Sequence, residues 1–461
     1  VAGALVTGAL KNVFELGGIK MKKDKSYVLR TVKEKDVKFI KLLFTDVLGF
    51  LKSFDITAGE LEAALESGMG FDGSSIEGFA RIEESDMIAL PDPATFRIIP
   101  WQSGNRKVAM MFSDILETDG SVFEGDPRYI LKKNLVRAEE KGFTYYIGPE
   151  LEYFYFSNSQ EAKALDQGGY FDLTPPDIAR DLRHETVAIL EEMEIPVEYS
   201  HHEVSPSQHE IDLRYDAALQ MADKAMLYRF VVKEVALQKG IYATFMPKPN
   251  YGVNGSGMHV HQSLFKGKNN AFFDPNDKYH LSQIGKCFLA GLLMHAREIT
   301  LVTNQWVNSY KRLIPGYEAP VYVSWAQRNR SSLVRIPGYK PGKEESTRLE
   351  MRSPDPACNP YLAFTVMLAA GLEGIEKNYK LPLPITNNIF SMTEEDREKA
   401  GITSLPYDLS EAIKITEKSS LVRKALGDKM FDYFIRNKKM EWEEYRSQIT
   451  EYELKKYLPL L

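Results

Sequence analysis

Glu150 and Glu152 sit two residues apart inside the apolar, aromatic run FTYYIGPELEYFYF (143–156). In a strand, side chains alternate between faces, so both carboxylates point one way while Leu151, Tyr153 and Tyr155 point the other. Two carboxylates roughly 7 Å apart repel by about 2 kcal/mol at an effective dielectric near 20, before any desolvation cost. Something positive must sit between them. Three further stretches set acids or imidazoles among apolar strand residues. In HHEVSPSQHEIDLRY (201–215) Glu203 and Glu210 each follow a histidine. In NGSGMHVHQSLF (254–265) His259 and His261 alternate onto one face, and in TRLEMRSPDP (347–356) Glu350 lies between Arg348 and Arg352 at strand spacing.

A lone glutamate in a strand usually faces solvent, and a lone histidine is usually a satisfied core or surface residue. Five such glutamates in strand-like runs resist that reading, and five of the chain's eight histidines fall in two of the same windows. Divalent cations would resolve the repulsion. An oxygen-dominated donor set with imidazole and no thiolate suits Mg²⁺ or Mn²⁺ rather than structural zinc. The excess of carboxylates implies two or more ions, which fits chemistry on phosphate groups. Arginines 312, 328, 330, 335, 348 and 352 crowd the segment 311–352. Their planar donor forks match phosphate and carboxylate oxygens, although surface ion pairs are the ordinary alternative, for Arg328 above all. Carboxylates, metals and arginines together suggest activation of an acid by a nucleotide phosphate. The glycines of NGSG (254–257) would let backbone approach a ligand closely.

The elements that must position these residues form an α+β chain. DVKFIKLLFTDVLGFLKSFDI (36–56) reads as two strands around a turn, and AGELEAALESG (58–68) as a short helix closed by Gly68, followed by a Gly/Ser-rich loop over 68–79. TFRIIPW (95–101) and KVAMMFSDI (107–115) read as further strands, so a small unit ends near residue 122. Asp126 and Pro127 then open a strong helix that Gly142 ends. Long helices are expected over about 175–194, 216–239, 281–303 and 359–378, and an amphipathic helix with a hydrophobic end over 440–461. The resulting division is 1–22 as a leader or extension, 23–122 as the first domain and 123–461 as the second.

The net charge of −6, with no basic stripe, argues against a nucleic-acid partner. The longest apolar run, YLAFTVMLAAGL (361–372), is too short to span a bilayer. Two cysteines, Cys287 and Cys358, make neither a disulfide framework nor a zinc site, which fits a reducing compartment. The first twenty residues lack a secretory pattern, so the cytoplasm is the expected location.

In order along the chain, FDGSSIEGF (71–79), GPELEYF (148–154), HHEVSPSQHE (201–210), KPNYGVNGSGMHVHQS (248–263), NSYKRLIPGYEAP (308–320), RNRSSLVRIP (328–337) and RLEMRSPDPACNPYLA (348–363) resemble the motifs of type I glutamine synthetases. The resemblance runs from about residue 24 to the C-terminus. It implies a small β-grasp-like N-terminal domain plus a larger catalytic domain with an antiparallel sheet and flanking helices. It implies one divalent metal on Glu150, His259 and Glu350, and another on Glu152, Glu203 and Glu210. Glutamate would be held by Asn254, Gly255, Arg312 and Arg352, with Glu318 on a loop that closes over it. ATP would meet Ser75, Glu198, His261, Ser263, Arg330, Arg335 and Arg348. Asp72 is similar to the family's ammonium-binding acid, and Arg81 to the position tied to feedback by glutamine.

The implied reaction is ATP-dependent ligation of ammonia to glutamate through a γ-glutamyl phosphate, with Asp72, Glu318, Arg330 and Arg335 closest to the chemistry. The implied assembly is a homododecamer of two hexameric rings with active sites completed between subunits. The approach to Gly168 is short, and Phe390 stands where adenylylated relatives carry a tyrosine; both resemble the alpha subclass that is not adenylylated. That subclass leaves room for regulatory protein partners, though no motif here marks one. Three other readings share parts of the pattern. A ligase for a larger amine would keep the fold, but Asp72 and the full GYEAP loop favour ammonia. A non-catalytic glutamine sensor is disfavoured by the intact acids and arginines, and a two-metal hydrolase by the arginine-rich half.

Overall fold

The computed structural model describes residues 23–75, 86–102, 106–327, 329, 331–385 and 389–461, with the side chain of Ser75 left out. Arg81, Arg328, Arg330, the Ser75 side chain and the first twenty-two residues lie outside this description. The chain divides into two compact units, the first holding Phe50–Tyr129 and the described residues before Val47, the second Val47–Gly49 and Ile130–Leu461.

The first unit contains helix α1 (Lys25–Glu34), strands β1 (Phe39–Thr45) and β2 (Leu51–Thr57), helix α2 (Leu61–Ser67) and strands β3 (Met69–Asp72), β4 (Asp86–Pro91), β5 (Arg97–Ile98) and β6 (Val108–Glu117). Its sheet runs β2-β1-β6-β4-β3, with β5 beside β6. The β1–β6 pair is parallel and the other pairs are antiparallel. Val28 and Val32 of α1 and Leu61 and Ala64 of α2 pack on Ile40, Leu42 and Met111, giving the unit its own core. Helix α1 adds an element not read from the sequence. The expected strand over 95–101 shrinks to β5, because a 3₁₀ turn at Pro93–Thr95, capped by Asp92, leaves only four residues before Pro100, which has no N–H to donate, and two of these, Arg97 and Ile98, pair with β6. Part of the expected Gly/Ser loop is the strand β3, whose residues pair with β4.

The second unit takes in most of α3 (Pro127–Glu140), at whose start Asp126 Oδ1 accepts the Arg128 N–H at 2.9 Å, as expected of a cap. Its sheet is built from β7 (Thr144–Phe156), β8 (Val197–His202), β9 (Gln208–Leu213), β10 (Asp216–Ala217), β11 (Tyr242–Thr244), β12 (Met258–Lys266), β13 (Asn269–Asn270), β14 (Trp325–Gln327), β15 (Val334–Ile336) and β16 (Leu349–Met351). The main path is β14-β15-β16-β12-β7-β9-β8, antiparallel except for β14–β15. Helices α4 (Arg180–Glu192), α5 (Ala218–Gln238), α6 (Gln283–Met294), α7 (Ala296–Thr303) and α8 (Pro360–Glu376) supply much of the core. Helix α8 is buried on most of its faces, which explains its nearly continuous apolar sequence, while α5 also buries Asp223, which accepts from Tyr361, and Lys224, which pairs with Asp216.

Three helix expectations need correction. The helix expected from about 175 begins only at Arg180, after turns at 174–176 and 178–179; each of the two prolines, Pro175 and Pro176, disfavours helical geometry at the residue before it. The stretch 281–303 is two helices, broken at His295, whose side chain turns to Glu298 at 3.0 Å. The C-terminal stretch is also two helices, α9 (Asp428–Arg446) and α10 (Glu451–Tyr457), separated because Thr450 and Glu453 form a new capping box. Among the described residues, no helix is long and apolar enough to cross a membrane.

Candidate active site

Strand β7 lies inside the sheet between β12 and β9, and its register does most of the assembly. Glu150 stands opposite His259 on β12 and Asp212 on β9, and Glu152 stands opposite Glu210. Across β12, Glu350 of β16 is the partner of His261, and on its other side of Arg335. Because residues opposite one another in antiparallel strands share a face, four separate sequence windows meet on one surface.

One half of this surface is compensated by protein cations and imidazoles. His261 Nε2 lies 2.7 Å from Glu150 Oε1, and His259 Nδ1 lies 3.3 Å from Glu150 Oε2. Arg348 Nε donates to His261 Nδ1 at 3.1 Å, so the ring proton on Nε2 must be the one given to Glu150. His261 thereby orients Glu150, while His259 keeps its second nitrogen for a ligand. Arg335 Nε donates to Glu350, and Arg352 Nε forms an ion pair with Glu350 at 3.1 Å. Burial alone would raise the Glu150 carboxyl, but His261 and His259 outweigh it and hold it well below the usual range. Glu350 is likewise held down, against its burial, by His261, His259, Arg352 and Arg335.

The other half is only partly compensated. Glu152 accepts from Gln208 Nε2 and from the Gly257 N–H, each at 2.8 Å, yet burial and the charge of Glu203 push its carboxyl up to about 8. Glu210 has Oε2 3.2 Å from His201 Nε2 and no partner for its buried Oε1. Burial, then Asp212, Glu152, Glu150 and Glu203, raise it well above the ordinary value. Asp212, also with a buried oxygen lacking a partner, is raised to about 8 by burial and Glu150. Buried carboxylates this close are stable as anions only with a cation between them. The donor set and its orphaned oxygens therefore fit hard divalent cations.

Two groups of side chains offer ligand atoms within 4.8 Å of one another here: Glu150, His261 and Glu350, and His201, Glu203 and Glu210. The expected ligands thus converge, with His259 beside the first group and Glu152 opposite Glu210 beside the second. His201, Gln208 and Asp212 are site residues the sequence reading passed over. Asp212 carried a usable signal, since it follows Glu210 at the same spacing of two that singled out Glu150 and Glu152.

The expected glutamate residues also meet. Asn254 Nδ2 donates to Glu318 Oε2 at 3.3 Å. Buried Arg312 gives its guanidinium to three backbone carbonyls, of Ser353 at 2.6 Å and of Pro354 and Arg352 at 3.2 Å. In this state Arg312 braces the loop that carries Arg352. Gly257 is needed for that packing: a Cβ there would lie 2.5 Å from Arg312 Nη2 and 3.3 Å from His259 Nε2. Gly257→Ala is expected to cost about 1–3 kcal/mol of stability and to raise the KM for glutamate, read by thermal unfolding and steady-state kinetics. Unchanged values of both would remove Gly257 from the site.

Ser263 is buried on β12, and Glu198 is exposed on β8. Asp72 ends β3 in the first unit, where it is exposed and accepts the Ser74 N–H at 2.9 Å. Phe390 lies in a 3₁₀ turn, Ile389–Ser391, and offers no hydroxyl for modification.

Two family models match the chain in order: the glutamine synthetase β-grasp domain over residues 36–118 and the glutamine synthetase catalytic domain over 124–457. A glutamine synthetase of Mycolicibacterium smegmatis is 53% identical over 446 residues, 95% of this chain and 100% of that protein. One from the archaeon Methanosarcina mazei is 51% identical over 449 residues, covering 96% and 100%. Among solved structures, a GmaS–ADP complex superposes with a TM-score of 0.85 at 30% identity, covering 95% of this chain and all of that one. The Plasmodium falciparum glutamine synthetase gives 0.84 at 25%, covering 94% and 98%. With about half of its residues shared with these glutamine synthetases over 95–96% of its length, and both family models matched in order, this chain belongs to the glutamine synthetase family.

Proposed function

We propose residue roles for a reaction that the family membership itself supplies: the chain joins ammonia to glutamate at the expense of ATP, giving glutamine, ADP and phosphate. The observation that carries the assignment is the division of one surface into a half closed by arginine and histidine and a half of buried acids only partly compensated. Glu150, His259 and Glu350 would hold one divalent cation, and Glu152, Glu203 and Glu210 the other. Mg²⁺ or Mn²⁺ suits these oxygens. When bound, such ions neutralise phosphate oxygens and so lower the barrier to attack by a carboxylate.

The remaining work falls to the chain's own residues. His261, locked by Arg348, keeps Glu150 oriented. Arg335 would neutralise the transferring phosphoryl group, a role the family motif also gives Arg330, and the same motifs give Ser75, Glu198, Ser263 and Arg348 to the nucleotide. Asn254, Gly255, Arg312 and Arg352 hold glutamate so that its side-chain oxygen can attack the γ-phosphate. The product, γ-glutamyl phosphate, is an acyl donor that water would destroy, and Glu318 shuts water out. Asp72 gives ammonium an anionic site and accepts a proton from it, leaving ammonia to attack the acyl carbon.

Asp72 belongs to the first unit, and the proposed assembly, a dodecamer of two hexameric rings, completes each site with a neighbouring subunit's copy of that unit. The bacterial and archaeal relatives fit the type I form, and Phe390 fits an alpha-like enzyme that is not adenylylated and is regulated by glutamine through the Arg81 segment. A cytoplasmic location suits a reaction that consumes ATP.

The deciding experiment measures ADP with Mg²⁺ and with Mn²⁺, omitting glutamate or ammonium in turn. ADP formation that requires both substrates supports the roles, whereas turnover independent of glutamate would overturn them. Asp72→Ala is expected to raise the KM for ammonium by tenfold or more, in the range of a lost general base, while glutamate affinity changes little. Equal losses for both substrates would remove Asp72 from the ammonium site.

A further inference from the structure

Two loops of the second unit meet beside the glutamate residues. One is 248–257, and the other is 313–319, which carries Glu318. Lys248, only 8% exposed, anchors the first. Its backbone exchanges hydrogen bonds with the Asn308 side chain, N–H to Oδ1 at 2.7 Å and Nδ2–H to its carbonyl at 3.0 Å. Its ammonium donates to the Val253 carbonyl and lies 3.7 Å from the centre of the Tyr317 ring. Among the described residues, no carboxylate pairs with Lys248. A buried ammonium with one carbonyl and one aromatic face depends on that face for much of its compensation. Burial and nearby Arg312 lower its pKa, as expected of a cation short of counter-charge.

Tyr317 immediately precedes Glu318. Glu318 adopts a φ of 55°, a conformation unfavourable for a residue with a side chain, and is held by Asn254 from the other loop. Gly316, at φ 96°, lets the chain turn just before the pair. The strained residue therefore needs an external tie, and among the described residues a hydrogen bond, Asn254–Glu318, and a cation–ring contact, Lys248–Tyr317, cross between the loops.

We propose that Lys248 is a positioning residue that latches the 313–319 loop shut through the face of Tyr317, holding Glu318 where it excludes water from the acyl phosphate. This rests on the reading of Glu318 as the closing residue. Opening the loop would strip the ring from the ammonium, so the contact favours the closed state specifically. Water reaching the open site would attack the acyl carbon of γ-glutamyl phosphate and release glutamate and phosphate.

The test compares phosphate released with glutamine formed by the full-length enzyme, supplied with Mg²⁺, ATP, glutamate and ammonium. Lys248→Met and Tyr317→Leu should each raise the phosphate in excess of glutamine by roughly five- to thirtyfold, the shift in a two-state equilibrium expected of a desolvated cation–π contact. Tyr317→Phe, which keeps the ring face, should restore wild-type coupling. The Lys248→Met/Tyr317→Leu double variant should be no worse than either single change, because both remove one interaction. Wild-type coupling in Lys248→Met, uncoupling in Tyr317→Phe equal to that in Tyr317→Leu, or additive effects in the double variant would each overturn the latch. Should thermal unfolding show that Lys248→Met does not fold, the Leu and Phe pair at Tyr317 decides the matter. Glu318→Ala runs in parallel: if it uncouples and the latch variants do not, only the latch fails, and if it leaves coupling intact, the closing role of Glu318 fails and the latch with it.

Discussion

Glu210→Gln should make the metal-free protein more heat-stable while lowering glutamine synthesis by more than about a hundredfold, beyond the loss seen for residues that merely orient metal ligands. The two effects have opposite signs because one carboxylate serves two states. In the metal-free chain Glu210 is buried, has an oxygen without a partner and faces Asp212, Glu152, Glu150 and Glu203. An amide of the same shape removes that repulsion, worth about 1–3 kcal/mol for a poorly paired buried polar group. In the working enzyme the same oxygens would hold a dication, and the amide is a weaker ligand without the charge. Melting of the protein in chelator and ADP-coupled turnover read the two effects separately. A lower melting temperature with unchanged turnover would mean that Glu210 is an ordinary structural acid.

Without divalent cations, stability should fall as pH rises from about 5.5 to 8, at about 1.4 kcal/mol per pH unit for each proton that the folded state retains and the unfolded state has lost. Glu152 and Asp212 are held near 8 in the folded chain, against roughly 4 when unfolded. Between those values the folded state carries the extra proton. Their contribution is therefore complete below the unfolded value and gone above the folded one. Glu150 and Glu350 have lowered values and act in the opposite sense, so their contribution is present above roughly 4 and lost only in more acid solution. Dications should replace the protons, so binding should release protons and tighten with pH, and at a hundredfold excess over Kd it should add about 2.7 kcal/mol. Unfolding at several pH values with chelator or Mn²⁺, and calorimetry in two buffers of different ionisation heat, test this. Metal-free stability that climbs through neutrality, or binding without proton release, would contradict the charge arrangement described.

Much of the site was legible because strand periodicity is local. Glu150 and Glu152 inside an aromatic run, His259 and His261 at the same spacing, and Glu350 between two arginines each announce one face of one strand. Their partners were not legible from periodicity. Only the register of β7 with β9 and β12 sets Glu152 opposite Glu210 and Glu150 opposite His259 and Asp212, and register depends on how whole strands bury their other face.

The same limit explains the residues that were passed over. His201, Gln208 and Asp212 are ordinary polar residues in the sequence, and they become site residues when the β8–β9 turn folds back on β7. Arg312 shows the reverse case. Its type and motif suggest a substrate clamp, and the fold has it bracing the Ser353 and Pro354 carbonyls. Helix ends followed the same rule. Asp126 and Gly142 punctuate α3 through contacts a few residues away, whereas the break at His295 involves Glu298 and also Glu373 from a distant helix. The chain's own chemistry determined which groups are present and which face each one takes. Burial and cross-strand pairing, which sum over distant segments, decided which acids lie beside arginine and histidine and which are left with buried oxygens short of a partner.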